Sequence, residues 1–237
     1  RLQPPAGHNA RAGDAAPPDA PMASAGGATG DASARTYGTR PTPWDVVLVP
    51  GFAAARDDLS VYEKLLAEIE GTGRDDIFCL WHGDSHYIAN DRKGWKNNGS
   101  CPTFDALIKR IEVYFGMTVN ATRLNWYRDD SEWKPFHFDR AAFTPGCPQN
   151  FTVGISIGPS TRDIAFEHAE KGAERGIGGV TVSVPQPNGS MYAFSEYVNI
   201  EWRHGVPQAP AHARSDKEGR ISIIAWGQVE LDRRGDE

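Results

Sequence analysis

The sequence is poor in cysteine. It has three cysteines in 237 residues, and no two of them have the Cys-x-x-Cys spacing of a structural zinc site or a thiol redox motif. Cys79 lies in an apolar run and is expected to be a buried small side chain, while a disulfide between Cys101 and Cys147 is left open. An odd count without a disulfide framework favours a reducing compartment, so we expect an intracellular protein, nuclear or cytoplasmic.

Long apolar runs and an excess of positive charge are also absent. No stretch approaches the roughly 18 apolar residues of a membrane-spanning helix, so no membrane partner is expected. The formal net charge of −6 argues against broad, nonspecific attachment to nucleic acid. A local basic patch could still bind a nucleic acid. Nothing in the composition sets the oligomeric state.

Large apolar side chains are scarce in residues 1–43, which are crowded with Ala, Pro, Gly, Ser and Asp. Such a segment cannot bury enough apolar surface to offset the entropy lost on ordering. We therefore predict a disordered tail over residues 1–43 and one folded domain over residues 44–237. The chain begins with Arg1 rather than Met, which is typical of a processed fragment.

Sequons of the form Asn-x-Ser/Thr are more frequent than the roughly one expected by chance in this composition. They occur at Asn98, Asn120, Asn150 and Asn188. No other feature of the chain indicates secretion, so we do not expect them to carry glycans.

Two segments after the tail have the apolar spacing of amphipathic helices. The first follows a predicted strand at Trp44–Val49 and is expected to be capped by Asp57 or Asp58 and to end before Gly71. The second is expected to be capped by Thr103 and to end at Gly116. Between them we predict a short strand at Ile77–Trp81 and a polar, aromatic surface excursion over residues 82–100.

From residue 118 the pattern changes to short strands separated by Gly, Pro and Asn. Pro187-Asn188-Gly189 is a strong hairpin signal. Eight short strands behind two helices predict an α+β fold, a double-stranded β-helix (jelly roll) core with two N-terminal buttressing helices. The predicted strands are Thr118–Tyr127, His137–Ala142, Phe151–Ile157, Asp163–His168, Val180–Val184, Met191–Phe194, Val198–His204 and Arg220–Trp226.

His137 and Asp139 are the first candidate metal ligands. In an extended strand these two side chains share one face, about 7 Å apart along the backbone. One imidazole and one carboxylate can then bind a single ion, and His204 is the natural third ligand. Two histidines and one carboxylate with open positions form the facial triad of non-haem iron(II) oxygenases.

A lone His-x-Asp motif is a weak signal, because one is expected by chance in roughly every second chain of this composition. His82-Gly83-Asp84 is a second example, and His86 lies close to it in the sequence. This decoy precedes the strand-rich half and lies in the predicted surface excursion. It can form a small local metal site but is not expected to be the main centre.

Three further residues give the His137 motif more weight. Asn125 and Tyr127 share one face of the preceding strand, and Arg220 lies on the last long strand. An iron(II) oxygenase of this class needs an acidic co-substrate, and a buried arginine can bind its far carboxylate in a bidentate pair. The plainer alternative is that Arg220 pairs with an acid at the sheet edge, Tyr127 is core and His204 caps a strand.

The ordered set of motifs is more specific than any one of them. Asn-x-Tyr precedes His-x-Asp, and Ile-Ser-Ile-Gly (155–158), His-Gly-Val (204–206) and Arg-Ile-Ser-Ile (220–223) follow. This order resembles the AlkB-like family of iron(II)- and 2-oxoglutarate-dependent dioxygenases, from about Trp44 to the end. The resemblance implies O2 as a reactant, iron(II) bound by His137, Asp139 and His204, and 2-oxoglutarate held by Asn125, Tyr127, Arg220 and Ser222.

One position departs from the family pattern. The family commonly has two arginines six apart on the last strand, and the second position here is Trp226. The family's nucleotide lid corresponds to residues 87–98, where aromatic and basic side chains could stack a base and hold phosphate. A solvated charged loop is the open alternative. The candidate substrate contacts are therefore Tyr87, Arg92, Lys93, Trp95, Lys96 and Trp226.

The resemblance implies hydroxylation of a C–H or methyl group, with a methylated nucleobase of DNA or RNA as the expected substrate, in single-stranded or locally opened form. Trp226 and the acidic net charge leave open the same chemistry on a protein side chain or a small metabolite. A non-catalytic jelly-roll binding module is a third alternative, because one fold hosts many functions.

Overall fold

Two β-sheets and the helices that cover one of them make up the described structure. The computed structural model describes residues 37, 40–71, 81–82, 95–96, 101–169, 176–213 and 219–232. The helices are α1 (Ser60–Gly71), α2 (Pro102–Phe115) and α3 (Glu196–Glu201), with short 3-10 turns at Arg140–Phe143 and Ala211–Ala213. The strands are β1 (Val46–Val49), β2 (Trp81–His82), β3 (Trp95–Lys96), β4 (Thr118–Tyr127), β5 (Lys134–His137), β6 (Phe151–Ile157), β7 (Arg162–Ala169), β8 (Gly176–Gln186), β9 (Ser190–Ser195), β10 (Trp202–Val206) and β11 (Arg220–Gln228).

The strand order is that of a jelly roll. The larger sheet has the order β1-β9-β6-β11-β4-β2-β3 and the smaller sheet the order β5-β10-β7-β8. Among these described strands, every neighbouring pair is antiparallel except β2 and β3. Strands far apart in the sequence therefore lie side by side, as in double-sheet jelly rolls. The predicted double-stranded β-helix core with two N-terminal helices is confirmed.

Strand β11 serves both the core and the space between the sheets, because alternate side chains of a strand face opposite sides. Ile221, Ile223 and Ala225 are buried in the cluster that includes the apolar side chains of α1 and α2. Ile224 belongs to a second cluster, which includes Ile164 and Phe166 of the smaller sheet. Arg220, Ser222 and Trp226 lie on the same face of β11 as Ile224, so their side chains point toward the smaller sheet.

The helices lie where the apolar spacing predicts them, but one predicted cap is wrong. Helix α2 begins at Pro102 after Cys101, so Thr103 lies inside its first turn. The Thr103 backbone N–H donates instead to Glu68 of α1, at 2.7 Å. Glu68 of the neighbouring helix therefore caps α2 in place of a local side chain. Gly116 ends α2 with a φ of 61°, which is the left-handed conformation expected there.

Two predicted strands are also wrong, and both lie at the metal motif. The strand predicted over His137–Ala142 ends at His137, and Arg140–Phe143 forms a 3-10 turn. The strand predicted over Val198–His204 begins only at Trp202, because Glu196–Glu201 is helical. Ser195 starts that helix by accepting a hydrogen bond from the Tyr197 N–H at 3.1 Å. Period-two motifs such as His-x-Asp do not require a continuous strand.

Several other expectations have a simpler outcome. No disulfide joins Cys101 and Cys147 among the described residues. None of the described helices is long and apolar enough to span a membrane. The tail up to residue 36, Cys79 and the His82 decoy beyond its first residue lie outside the described residues. The domain boundary at residue 43 stays a prediction.

Candidate metal centre

Strand pairing brings two distant histidines together. His204 of β10 lies directly opposite His137 of β5 in the antiparallel register, and residues opposite each other in a sheet point to the same face. Their ring centroids are 4.5 Å apart. Both imidazoles are thereby placed in the space between the two sheets.

Asp139 reaches the same point from outside the strand. Its backbone N–H donates to the Asn199 side-chain oxygen at 2.8 Å, and the Asn199 amide donates back to the Asp139 carbonyl at 2.9 Å. The Thr152 hydroxyl donates to one carboxylate oxygen, Oδ2, at 2.8 Å. The other oxygen, Oδ1, lies 3.6 Å from His204 Nε2. Hydrogen bonds from α3 and β6 therefore replace the strand that was predicted to place this carboxylate.

The three side chains fit one divalent ion. Each offers a ligand atom, and these atoms lie within 4.8 Å of one another. An ion about 2.1 Å from each ligand holds neighbouring ligand atoms about 3 Å apart, so small side-chain rotations complete the site. His137 Nδ1 lies 2.9 Å from the Pro135 carbonyl. A hydrogen bond from Nδ1 leaves Nε2 without a proton and available to the ion.

Protonation also favours metal binding. Burial lowers the pKa of His137, and it lowers the pKa of His204 to about 4, so both imidazoles are neutral near pH 7. Burial opposes ionisation of Asp139, but His204, His137 and the hydrogen-bond donors Trp226 and Thr152 lower its pKa overall. Two neutral imidazoles and one carboxylate are the forms in which these groups bind metal.

A second polar group lies on the two central strands of the larger sheet. Arg220 is opposite Tyr127, and Ser222 is opposite Asn125, in the register of β11 and β4. Arg220 and Tyr127 are each 2% exposed, and the guanidinium carbon lies 5.2 Å from the Tyr127 ring centroid. Nε and Nη1 of Arg220 are buried without a hydrogen-bond partner in the described part of the chain. Buried donors without a partner are costly, so these two nitrogens fit the carboxylate of a bound acid.

One pocket joins the two groups, and its empty space is about 440 Å³ with the open solvent at its mouth included. Its walls include the three candidate metal ligands and the candidate co-substrate residues Asn125, Tyr127 and Ser222, while Arg220 is buried beside Tyr127. The structure thus brings together every candidate metal and co-substrate residue that the sequence indicated. The pocket is also lined by Arg123, Lys134, Tyr192 and Trp226.

Trp226 has two neighbours that matter to the site. The guanidinium carbon of Arg123 lies 5.9 Å from the Trp226 ring, within cation–π range. The indole N–H helps to lower the pKa of Asp139, although it has no partner at ordinary hydrogen-bond geometry among the described residues. The position expected to contact substrate therefore faces the metal motif itself.

Of the other candidate substrate contacts, the structure describes only the backbones of Trp95 and Lys96. Tyr87, Arg92 and Lys93 lie outside the described residues. The backbones of Trp95 and Lys96 form β3, which pairs with β2 beside β4 at the edge of the larger sheet. This edge is continuous with the strand that carries Asn125 and Tyr127.

Sequence patterns missed the residues that support the ligands. Thr152 and Asn199 belong to no motif, and both make hydrogen bonds to Asp139 from other elements of the fold. Tyr192, which lines the same pocket, belongs to no motif either. Asn199 was assigned to a strand. Only the Ser195-Glu196 pair, an N-cap followed by an acid in the first turn, could have indicated the helix that carries it.

The comparisons with known proteins point in one direction. The chain is 26% identical over 204 residues to the alpha-ketoglutarate-dependent dioxygenase alkB homolog 3 of Rattus norvegicus, covering 80% of this chain and 66% of that protein. It is 25% identical over 177 residues to the same protein of Mus musculus, covering 69% of this chain and 60% of the relative. The resemblance predicted from the motifs is confirmed. The chain spans less than two thirds of the length of these relatives.

Solved structures give weaker matches. An oxidoreductase of the 2OG-Fe(II) oxygenase family from Burkholderia pseudomallei has a TM-score of 0.48 at 14% identity, covering 80% of this chain and 88% of that one. A prolyl-4-hydroxylase from Pseudomonas putida has a TM-score of 0.41 at 15% identity, with the same coverage of each chain. No protein-family model matches the chain.

Proposed function

We propose that this AlkB-like chain is an iron(II)- and 2-oxoglutarate-dependent dioxygenase. The observation that carries the proposal is the pairing of two neutral imidazoles and a carboxylate, within 4.8 Å of one another, with the buried Arg220, whose Nε and Nη1 have no hydrogen-bond partner in the described part of the chain. A facial triad needs open coordination positions, and a diacid co-substrate needs a buried cation. Both features line or adjoin one pocket.

His137, Asp139 and His204 would hold iron(II), and Arg220, Tyr127, Asn125 and Ser222 would hold 2-oxoglutarate. The chemistry supplied by this combination is the oxidation of 2-oxoglutarate by O2 to succinate and carbon dioxide, with one oxygen atom of O2 inserted into a substrate C–H bond. On an N-methyl group, the hydroxylated product loses formaldehyde, so the net result is demethylation.

The chain's own residues prepare this chemistry. The Pro135 carbonyl fixes the His137 tautomer, and Thr152 leaves the second carboxylate oxygen of Asp139 directed at His204. Burial keeps both imidazoles unprotonated, so an incoming cation does not compete with protons near pH 7. The low exposure of Arg220 and Tyr127 excludes water from the end of the pocket that would hold the acid.

For the substrate we propose a methylated nucleobase in single-stranded or locally opened DNA or RNA. The pocket wall supports this, because Arg123 and Lys134 are cations suited to phosphate and Trp226 offers a face on which a base can stack. The net charge of −6 favours a second candidate, the same chemistry on a protein side chain or small metabolite.

Succinate release tests the chemistry. Release should depend on both iron(II) and 2-oxoglutarate and should be lost in His137→Ala and in Arg220→Ala. Lys109→Ala, on the exposed face of α2, is the matched control and should retain full turnover. Turnover that survives both site changes would exclude the proposal, and a lack of metal affinity in the wild type would favour a non-catalytic binding module.

Binding to oligonucleotides separates the two substrate classes. Mobility shifts with single-stranded and duplex methylated oligonucleotides should weaken as salt rises, because phosphate contacts release counterions. Arg123→Gln and Lys134→Gln should each reduce the salt slope by about one unit if they contact phosphate. Binding to no oligonucleotide at any salt concentration would favour the protein or metabolite substrate.

A further inference from the structure

Tyr192 is a buried residue of the pocket wall to which the sequence assigned no role. It lies on β9 opposite Gly154 of β6, and it is 4% exposed. It lines the same pocket as the candidate metal ligands and Tyr127. Its side chain therefore belongs to the space between the sheets, where both the ion and the acid are expected.

Gly154 directs the Tyr192 ring across the floor of the pocket. A Cβ atom at Gly154 would lie 2.2 Å from Tyr192 Cζ and 2.5 Å from its hydroxyl oxygen. The far end of the ring thus lies over β6, on the side toward β11, because Gly154 pairs with Ile224 of that strand. Glycine in a strand interior costs about 0.5–1 kcal/mol relative to alanine, and here it leaves the space that the hydroxyl end occupies.

The Tyr192 hydroxyl is a donor available to a group bound in the pocket. It makes no hydrogen bond to any residue in the described part of the chain, and burial raises the pKa of Tyr192 well above its usual range, so the proton stays on the oxygen. Arg220 lowers and Asp139 raises that pKa, which means that both charges lie within electrostatic reach of the hydroxyl. The pocket that Tyr192 lines also has Asp139 and Tyr127, the neighbour of Arg220, in its wall.

A five-carbon 2-oxo diacid would span the distance from the candidate metal ligands to Arg220. Its keto acid group would bind at the three metal ligands, and its distal carboxylate would bind at Arg220. Burial has the largest effect on the pKa of Arg220, and the next largest effects come from Tyr127 and Tyr192. They approach from β9 and β4, which lie on opposite sides of the β6–β11 pair in the larger sheet. A carboxylate can accept several hydrogen bonds. Donors on both sides of Arg220 can therefore fix the orientation of a carboxylate that binds there.

We propose that Tyr192 is a further co-substrate residue, whose hydroxyl donates a hydrogen bond to the distal carboxylate of 2-oxoglutarate bound at Arg220. The inference rests on the proposed function and extends it to a residue outside the recognised motifs. Gly154 is the positioning residue that makes the contact reachable.

The test is Tyr192→Phe, which keeps the ring over Gly154 and removes only the hydroxyl. In protein loaded with manganese(II), calorimetric titration should give a dissociation constant for 2-oxoglutarate about tenfold higher than that of the wild type, as expected for a lost hydrogen bond to a charged group. Affinity for manganese(II) itself should not change. Tyr114→Phe, on α2 behind the opposite face of the sheet, is the matched control and should bind 2-oxoglutarate as the wild type does.

A shorter acid identifies the end that Tyr192 contacts. 2-Oxobutyrate has the keto acid group but no distal carboxylate, so the wild type and Tyr192→Phe should bind it equally. Equal losses with both acids would overturn the assignment, because the hydroxyl would then act at the metal end or through packing. An unchanged affinity of Tyr192→Phe for 2-oxoglutarate would also overturn it. Wild-type protein that binds metal but no 2-oxoglutarate would instead overturn the proposed function.

Discussion

Asn199 holds Asp139 by both ends of its side-chain amide, accepting from the Asp139 N–H at 2.8 Å and donating to the Asp139 carbonyl at 2.9 Å. Asn199 lies in α3, which leads directly into the strand that carries His204. The carboxylate and the second histidine are therefore tied to one continuous segment. Because the backbone of Asp139 is not in a strand, these two hydrogen bonds set its position.

Removing this contact should weaken metal binding. We expect Asn199→Ala to lower manganese(II) affinity 10- to 100-fold, as changes to the partners of metal ligands typically do, and to lower the free energy of unfolding by about 1–3 kcal/mol. Titration with manganese(II) and denaturant unfolding measure the two effects.

Asn188→Ala is the matched control for that change. Asn188 is 5% exposed and makes three hydrogen bonds to backbone groups, none of them in a candidate ligand. It should lose comparable stability and keep its metal affinity. Equal metal affinity in both variants would show that Asn199 is a purely structural residue.

A change of Arg220 to Lys should separate charge from geometry. Lysine keeps the positive charge but cannot form the bidentate pair with a carboxylate. We expect a rise of about 10- to 100-fold in the dissociation constant for 2-oxoglutarate, in line with one or two lost charge-assisted hydrogen bonds. Calorimetry on manganese-loaded protein measures this. Unchanged affinity for the acid would place its carboxylate elsewhere.

The stability of the metal-free protein should fall in mildly acidic solution. The pKa of His204 is about 4 in the folded protein, against 6.5 for an ordinary histidine. The unfolded chain therefore takes up the proton first, and the free energy of unfolding falls as the pH is lowered from about 6.5 toward about 4. The loss from this residue is about 3 kcal/mol at most.

Replacement of the buried imidazole checks that assignment. His204→Gln should flatten the dependence over this range in denaturant unfolding at a series of pH values. His212→Gln, on an exposed 3-10 turn, should leave the dependence as it is in the wild type. A wild-type protein whose stability is constant between pH 6.5 and 4.5 would contradict the neutral, buried state of His204.

A side chain at position 154 should crowd the Tyr192 ring, and replacing Tyr192 by alanine should relieve that crowding. Gly154→Ala places a Cβ 2.2 Å from the Tyr192 ring, so we expect a loss of about 1–3 kcal/mol in the free energy of unfolding. The double variant Gly154→Ala/Tyr192→Ala should lose less than the sum of the two single changes. Thermal or denaturant unfolding of all four proteins gives the coupling, and strict additivity would mean that the ring does not lie over Gly154.

The parts of the fold that follow local patterns were predictable. β4 and β6 have the predicted bounds. The apolar alternation of β6 is uninterrupted, and glycine or proline lies near the ends of both strands. The six candidate motif residues His137, Asp139, His204, Asn125, Tyr127 and Arg220 adjoin one pocket, as their order indicated. Their roles in binding stay proposals.

The remaining features depend on contacts that no short window of sequence contains. Glu68 caps α2 from another helix, and Asn199 places Asp139 from 60 residues away. Tyr192 reaches the pocket only because Gly154, on the neighbouring strand, has no side chain. Propensity and spacing describe a segment by itself, whereas these residues are defined by the neighbours that the fold gives them.

The two faces of β11 can be changed independently, because one packs in the core and the other lines the pocket. Swaps among aliphatic side chains at positions 221, 223 and 225 act on the layer shared with α1 and α2 and should tune melting temperature. Swaps at 224 and 226 should retune selectivity instead, because those side chains line the pocket. One library of variants can therefore be screened for a higher melting temperature and a separate library for altered selectivity.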